Sequence, residues 1–179
     1  TFQVPALAME GICLVITPLV ALMKEQVNRL NNLEIKSIAI HSGLSREEID
    51  IALENCIYGD YKFLYISPER ISSQMFQARA GRLNLSLVAV DEAHCISQWG
   101  YDFRPSYLKI SDVRVLLPDV PVLALTATAT PAVVEDIQHK LSFKTKNVFV
   151  KSFERKNLAY VVRNTEDKDK ELLHILEKT

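Results

Sequence analysis

Short apolar runs closed by Pro, Gly or charge alternate in this chain with stretches whose apolar residues recur every three or four positions. The first kind reads as a buried strand, the second as an amphipathic helix. Residues 1–10 read as the body of a short helix, and Ile12–Thr17 as a strand that Pro18 stops. Leu19, Leu22, Met23, Val27 and Leu30 predict a helix over 19–31. Ser37–Ile40 is the next strand, and His41-Ser42-Gly43 reads as a turn at its end. Ser45 with Glu48 has the spacing of a capping box, which opens a helix to about Ile57. Lys62–Ile66 is a strand. Ser67-Pro68-Glu69 then starts a helix, with a capping hydroxyl, proline at the first helical position and an acid near the positive end. Leu87–Val90 and Val122–Thr126 are strands, and Ser111–Leu117 and Ala132–Leu141 are helices. Asn147–Lys151 and Tyr160–Arg163 read as two more strands. A polar, linker-like stretch, 165–169, precedes an amphipathic helix over 170–178. Alternating strands and helices predict an α/β fold, a mainly parallel sheet with helices on both faces. The linker suggests a division into 1–164 and 165–179.

Composition narrows the function. The chain has 179 residues, 48% of them hydrophobic, enough for one domain with a core. No apolar run approaches the roughly 20 residues of a membrane span. The first apolar stretch is broken by Met9-Glu10-Gly11, unlike a signal peptide. A net charge of −1 means that nucleic-acid binding has to come from local groups and not from a basic surface. Cys13, Cys56 and Cys95 are widely spaced and include no C-x-x-C pair, which reads as reduced thiols, not a disulfide or zinc framework.

The chemistry concentrates at the end of the Leu87–Val90 run. Asp91 and Glu92 sit at the carboxyl end of a strand, where open α/β sheets bind ligands. One carboxylate can hold Mg²⁺ through water, and the other can take a proton from water attacking a terminal phosphate. An ordinary acidic loop is the alternative on the dipeptide alone. Close behind come the single Trp of the chain, Trp99, then Tyr101, Phe103, Arg104 and Tyr107. An aromatic face stacks on any base and an arginine meets phosphate, a sequence-tolerant way to hold single strands. Packing of Trp99 and Phe103 onto the sheet is the competing explanation. Thr17-Pro18 and Ser67-Pro68 each place a helix start at the carboxyl edge, where main-chain N–H groups suit phosphate.

The ordered set D-E-A-H at 91–94, T-P-L-V-A-L-M-K-E-Q-V at 17–27, S-P-E-R at 67–70 and T-A-T-A-T at 126–130 resembles superfamily 2 helicases. A-H-C-I-S-Q-W-G-x-D-F-R-P-x-Y at 93–107 resembles the aromatic-rich loop of the RecQ family. S-F-E-R-x-N-L at 152–158 resembles that family's segment near the end of its first motor domain. The resemblance implies a RecA-like motor domain over 1–164, with the linker and first helix of a second motor domain over 165–179. It implies ATP and Mg²⁺ as cofactors and single-stranded and duplex DNA as partners, with no membrane. Asp91 is then the Mg²⁺-associated carboxylate and Glu92 the catalytic base. His94 links the ATP site to the DNA-responsive parts through Thr126 and Thr128. Gln98, Trp99, Phe103 and Arg104 couple DNA to hydrolysis. Thr17, Pro18, Ser67, Pro68, Trp99 and Arg104 meet DNA. The implied activity is 3′–5′ translocation and duplex unwinding in DNA repair and recombination, in the cytoplasm (bacterial nucleoid) or the nucleus.

Two departures from the family pattern stand out. Tyr101 occupies a position where RecQ-like loops more often carry His. The phosphate loop G-x-x-x-x-G-K-[ST] is not in these residues, while T-F-Q-V-P-A-L at 1–7 resembles the helix that follows it. The 179 residues alone are therefore expected not to turn over ATP. A helicase-like interaction module without ATPase activity and an RNA-directed helicase are the other classes the sequence leaves open.

Overall fold

The computed structural model describes residues 1–179 apart from Tyr101, 152–154, Lys156, Tyr160, Arg163 and 178–179. The chain divides into two units, Thr1–Lys146 and Asn147–Thr179. The first holds a five-stranded sheet of β1 (Ile12–Ile16), β2 (Ser37–Ile40), β3 (Phe63–Ile66), β4 (Leu85–Val90) and β5 (Val122–Ala124). The strand order is β2-β3-β1-β4-β5 and every pairing is parallel. Helix α1 (Gln3–Ala8) precedes β1. Parallel strands need crossovers, and helices lie in each of them: α2 (Val20–Asn32), α3 (Arg46–Tyr58), α4 (Pro68–Ile71) with α5 (Gln74–Ala80), and α6 (Ser111–Leu116); α7 (Pro131–Lys140) follows β5.

The twofold alternation of strand side chains sorts the core into two layers. Cys13 and Val15 of β1 and Phe63 and Tyr65 of β3 pack with Ala6 of α1 and with Met23, Val27 and Leu30 of α2. Ile12, Leu14 and Ile16, with Leu64, Ile66, Val88 and Val90, pack on the opposite side against Ile49 and Leu53 of α3, Phe76 of α5 and Val133 and Ile137 of α7. Every residue of β1 is buried, as its unbroken apolar run requires. The expected α/β sheet with helices on both faces is therefore what forms.

Local chemistry explains several boundaries. α1 stops at Ala8, short of the expected 1–10, and the chain turns at Gly11 with φ of 92°. A Cβ there would also lie 2.6 Å from the Asn84 carbonyl oxygen, so glycine is required twice over. The Ser45 capping box is complete: Ser45 Oγ accepts from the Glu48 N–H, and the Glu48 carboxylate accepts from the Ser45 N–H. This holds the Glu48 carboxyl below its usual range, chiefly through the main-chain bond to Ser45.

Three expectations need correction. Ser67 precedes α4, but its hydroxyl makes no capping bond. The helix begun there lasts only to Ile71, and α5 starts afresh on Ser73, whose Oγ accepts from the Phe76 N–H. Residues 147–151 are not in a strand, and Phe149 and Val150 are exposed. Of the expected strand at 160–163, Tyr160 and Arg163 lie outside the described residues, and 161–162 are not in a strand. The second unit contains α8 (Lys168–Leu176), with Asp167 Oδ1 accepting from the Lys170 N–H as its cap. No helix among the described residues is long and apolar enough to cross a membrane.

Candidate functional site

β1 and β4 are neighbours in register, Ile16 beside Val90, so their carboxyl ends emerge together. The Asp91 N–H donates to the Ile16 carbonyl at 2.8 Å, extending the ladder one residue past the strand. Asp91 then receives two local bonds, from Thr17 Oγ1 at 3.4 Å to Oδ2 and from the Glu92 N–H at 3.0 Å to Oδ1. Asp91 also lines a cavity of about 270 Å³ with Thr1, Gln3, Thr17, Gln26 and Tyr65, so the start of α1 and the carboxylate edge face one space. The oxygens gathered there, Asp91 and Thr17 with Glu92 next in sequence, are the hard donors that Mg²⁺ takes.

Glu92 leaves the strand in the left-handed region, φ 47° and ψ 43°. A non-glycine residue held there stores strain, and such positions concentrate where function over-determines the backbone. The twist is fixed from both sides: Leu125 N–H donates to the Val90 carbonyl at 2.8 Å, and Ala93 N–H to the Leu125 carbonyl at 2.9 Å. A 3-10 turn, Ala93–Ile96, follows and buries all four residues.

The buried ring of His94 joins three segments. Nδ1 lies 2.9 Å from Thr126 Oγ1 and 3.3 Å from Glu92 Oε2. A carboxylate accepts only, so Nδ1 carries the proton in this arrangement. Thr126 Oγ1 also accepts from the Thr128 N–H at 3.2 Å and donates to the Thr128 carbonyl at 3.4 Å. The structure thus links His94, Thr126 and Thr128 by hydrogen bonds across the ends of β4 and β5, with the Glu92 carboxylate 3.3 Å from the same ring nitrogen.

Beyond the turn, the aromatic-rich loop divides by exposure. Gln98 and Trp99 face solvent, Trp99 at 78%, which excludes packing onto the sheet as the reason for Trp99. Phe103 is half-buried, with Lys140 Nζ 5.9 Å from its ring centroid. Arg104 donates through Nε and Nη2 to Asp102 Oδ2, at 3.2 and 2.8 Å. That fork holds the Asp102 carboxyl below its usual range and raises the Arg104 guanidinium. Tyr101 lies outside the described residues.

Three positioning contacts were not among the sequence candidates. Tyr107, fully buried, donates from its hydroxyl to the Asp91 carbonyl at 2.9 Å, tying the far end of the loop to the carboxylate strand. Lys140 of α7 donates to the Ile96 carbonyl at 3.1 Å and pairs with Asp136 at 3.2 Å. Gly100 approaches so closely that an added Cβ would lie 2.6 Å from the His94 carbonyl oxygen. For Tyr107 the sequence carried a signal, an aromatic residue at the end of the loop; for Lys140 it carried none.

The helix starts look different from expectation. Thr17 and Ser67 are buried, and their N–H groups are taken up by the sheet, donating to the Ile66 and Ile40 carbonyls. Pro18 and Pro68 have no N–H. The Thr17 hydroxyl points to Asp91, and the Ser67 hydroxyl is buried without a partner. Main-chain donors at the Thr17-Pro18 edge must therefore come from the first turn of α2, where Leu19 contributes no side-chain cap.

The sequence and the fold have counterparts in known proteins. Residues 1–137 match the DEAD/DEAH box helicase family. The chain belongs to that family. It is 46% identical over 170 residues to the ATP-dependent DNA helicase RecQ of Bacillus subtilis, covering 94% of this chain and 29% of that protein. It is 39% identical over 161 residues to the RecQ of Haemophilus influenzae, covering 90% of this chain and 26% of the relative. The chain thus spans under a third of the length of these two relatives. Among solved structures, the helicase domain of Pyrococcus furiosus Hef superposes over 79% of this chain with a TM-score of 0.55 at 21% identity. The DUF1998 helicase MrfA bound to DNA does so over 79% with 0.59 at 18%. At those identities the likeness is one of fold, and it agrees with the five-stranded parallel sheet of this helicase domain.

Proposed function

We propose that this chain is part of a RecQ-type ATP-dependent DNA helicase that couples Mg²⁺-dependent ATP hydrolysis to 3′–5′ movement on single-stranded DNA and to duplex unwinding. The observation that carries the reading is the continuity of the carboxylate edge with the exposed aromatic loop. Glu92 reaches Thr126 through His94, and Asp91 reaches the loop through Tyr107. In this reading Asp91 holds Mg²⁺ through water and Glu92 takes the proton of the attacking water. His94, Thr126 and Thr128 pass the state of that site to neighbouring segments. Gln98, Trp99, Phe103 and Arg104 respond to DNA. Trp99 supplies the stacking face, and Arg104, turned out of its fork with Asp102, the phosphate contact. The edges at Thr17-Pro18 and Ser67-Pro68 follow the DNA backbone through main-chain groups beyond the prolines.

The ATP phosphates require a glycine-rich cradle and lysine, absent from these 179 residues, so the chain alone does not turn over ATP. The cavity shared by Thr1 and Asp91 is where a segment preceding Thr1 would meet the carboxylates. Residues 1–164 belong to the first motor domain and 165–179 to the start of the second. The protein acts in DNA repair and recombination, in the cytoplasm or nucleus.

The test is Glu92→Gln in the full-length protein. The amide keeps the shape and loses the base, so turnover should fall below detection while ATP binding persists. Retained DNA-stimulated hydrolysis refutes the assignment.

A further inference from the structure

We propose that His94, Cys95 and Asp102 form a binding site for a zinc-like divalent cation that clamps the aromatic-rich loop. The inference rests on the reading of that loop as the DNA-coupling element. The cysteine spacing in the sequence excludes a cysteine-rich zinc site, but the fold assembles a mixed donor set. Cys95 Sγ lies 3.8 Å from His94 Nε2 and 3.8 Å from Asp102 Oδ2. One ligand atom from each of the three residues falls within 4.8 Å of the others. A tetrahedral zinc ion with metal–ligand bonds of about 2.0–2.3 Å has ligand–ligand edges of roughly 3.3–3.6 Å. Side-chain shifts of the order of 1 Å therefore close the site, with water as the fourth ligand.

The surroundings supply what a ligating histidine needs. Nδ1 faces the Glu92 carboxylate at 3.3 Å and Thr126 Oγ1 at 2.9 Å, which fixes the proton on Nδ1 and directs the Nε2 lone pair toward Cys95. A carboxylate behind the histidine orients the ring and raises its basicity toward a metal. Cys95 and His94 are buried, whereas the Asp102 side chain is 42% exposed, so an ion enters from the Asp102 side.

Binding forms a sulfur–metal bond and releases the thiol proton to solvent. The ion also competes with Arg104, whose guanidinium already occupies Asp102 Oδ2. One end of the clamp is the turn after Glu92, and the other is the loop beyond Trp99. With both ends joined, the loop cannot move relative to the carboxylate edge, and DNA loses its control over hydrolysis.

The test titrates cobalt(II), a spectroscopic stand-in for zinc, into the full-length protein beside its Cys95→Ser and Asp102→Asn variants, each checked for folding by circular dichroism. The wild type should bind one more equivalent than Cys95→Ser, with a thiolate-to-cobalt charge-transfer band that this variant lacks. Asp102→Asn, an exposed change that leaves the core intact, should need more than roughly 10-fold higher cobalt for the same band. Zinc at that equivalent should suppress DNA-stimulated ATP hydrolysis in the wild type and not in Cys95→Ser. Equal stoichiometry and equal bands in wild type and variants overturn the site. A bound equivalent that leaves DNA stimulation unchanged overturns the clamp. A bound equivalent in a protein that hydrolyses no ATP at all upholds the site and refutes the helicase reading instead.

Discussion

Replacing Tyr107 by Phe isolates one hydrogen bond. The ring is fully buried among apolar neighbours and stays there in the variant, so only the hydroxyl is lost. That hydroxyl donates to the Asp91 carbonyl at 2.9 Å, one residue past β4. Leaving this part-buried carbonyl without its donor costs at most about 1–3 kcal/mol, the penalty for a fully buried group. If the whole cost falls on the geometry of the carboxylate edge in the transition state, hydrolysis slows by roughly 5- to 150-fold. If it falls on overall stability, the melting midpoint drops by a few degrees, since each kcal/mol moves a domain of this size by about 2–4 °C. The two outcomes separate experimentally. Steady-state ATP hydrolysis by the full-length protein against Mg²⁺ and ATP reads the first, and thermal unfolding reads the second. The expected pattern is a lower kcat with little change in KM, and a reduced ratio of DNA-stimulated to basal rate. The phenol stays protonated throughout, because burial, reinforced by Cys95 and Asp91, pushes it far above its ordinary range. Its raised folded-state value means that the donor is present at all pH below its ordinary value near 10 and is not lost between pH 7 and 9. The defect should accordingly be the same at both ends of that interval. Unchanged kcat, stimulation and melting in Tyr107→Phe would show that the bond positions nothing.

Other consequences are more direct. Trp99→Ala removes an exposed stacking face and should weaken single-stranded DNA binding by about 1–3 kcal/mol, with basal hydrolysis retained; unchanged stimulation by DNA ends the sensor assignment. Gly100→Ala places a methyl group 2.6 Å from the His94 carbonyl oxygen, so it should displace the turn and depress DNA-stimulated hydrolysis, as ATPase assays would register. The Asp102 carboxyl is held below its usual range by Arg104, so the fork is fully formed above the ordinary aspartate value near 3.9 and is lost only as pH falls through the lower folded value. NMR titration of Asp102 should therefore show a midpoint below that of an unpaired aspartate, rising to it in Arg104→Ala.

The sequence was most legible where local pattern and burial agree. The run Ile12–Ile16 is apolar throughout because it lies in the middle of the sheet with helices on both sides. The capping box at Ser45 is legible because both of its bonds lie within four residues. The D-E-A-H segment could be placed at a strand end for the same reason. What could not be read depends on partners distant in sequence. Residues 147–151 carry a strand-like pattern, but a strand is made by its neighbours, and Val150 is left 80% exposed. The Ser67 hydroxyl stands at the cap position, but the Arg70 N–H that it would accept is taken instead by the Ser67 carbonyl. Lys140 looked like any helix lysine; its tie to Ile96 spans 44 residues and follows only from the packing of α7 against the turn after Glu92.

Those distant contacts suggest why the carboxylates and the aromatic loop lie in one segment. Glu92 is held in a left-handed conformation that free chain avoids, and the structure fixes it through neighbours on both sides. The residue after it bonds to Leu125, just past β5, His94 bonds to Thr126, and Tyr107 returns to the carbonyl before it. A displacement at Trp99 has few ways to dissipate before it reaches Glu92, because Gly100 rests on the His94 carbonyl and Arg104 N–H on that of Cys95. The coupling is measured by a double-mutant cycle between Trp99→Ala and Thr126→Ala on DNA-stimulated hydrolysis by the full-length protein. If the loop signals through His94, the second substitution should cost far less once the first is present. Additive costs would mean that DNA reaches Glu92 by another route.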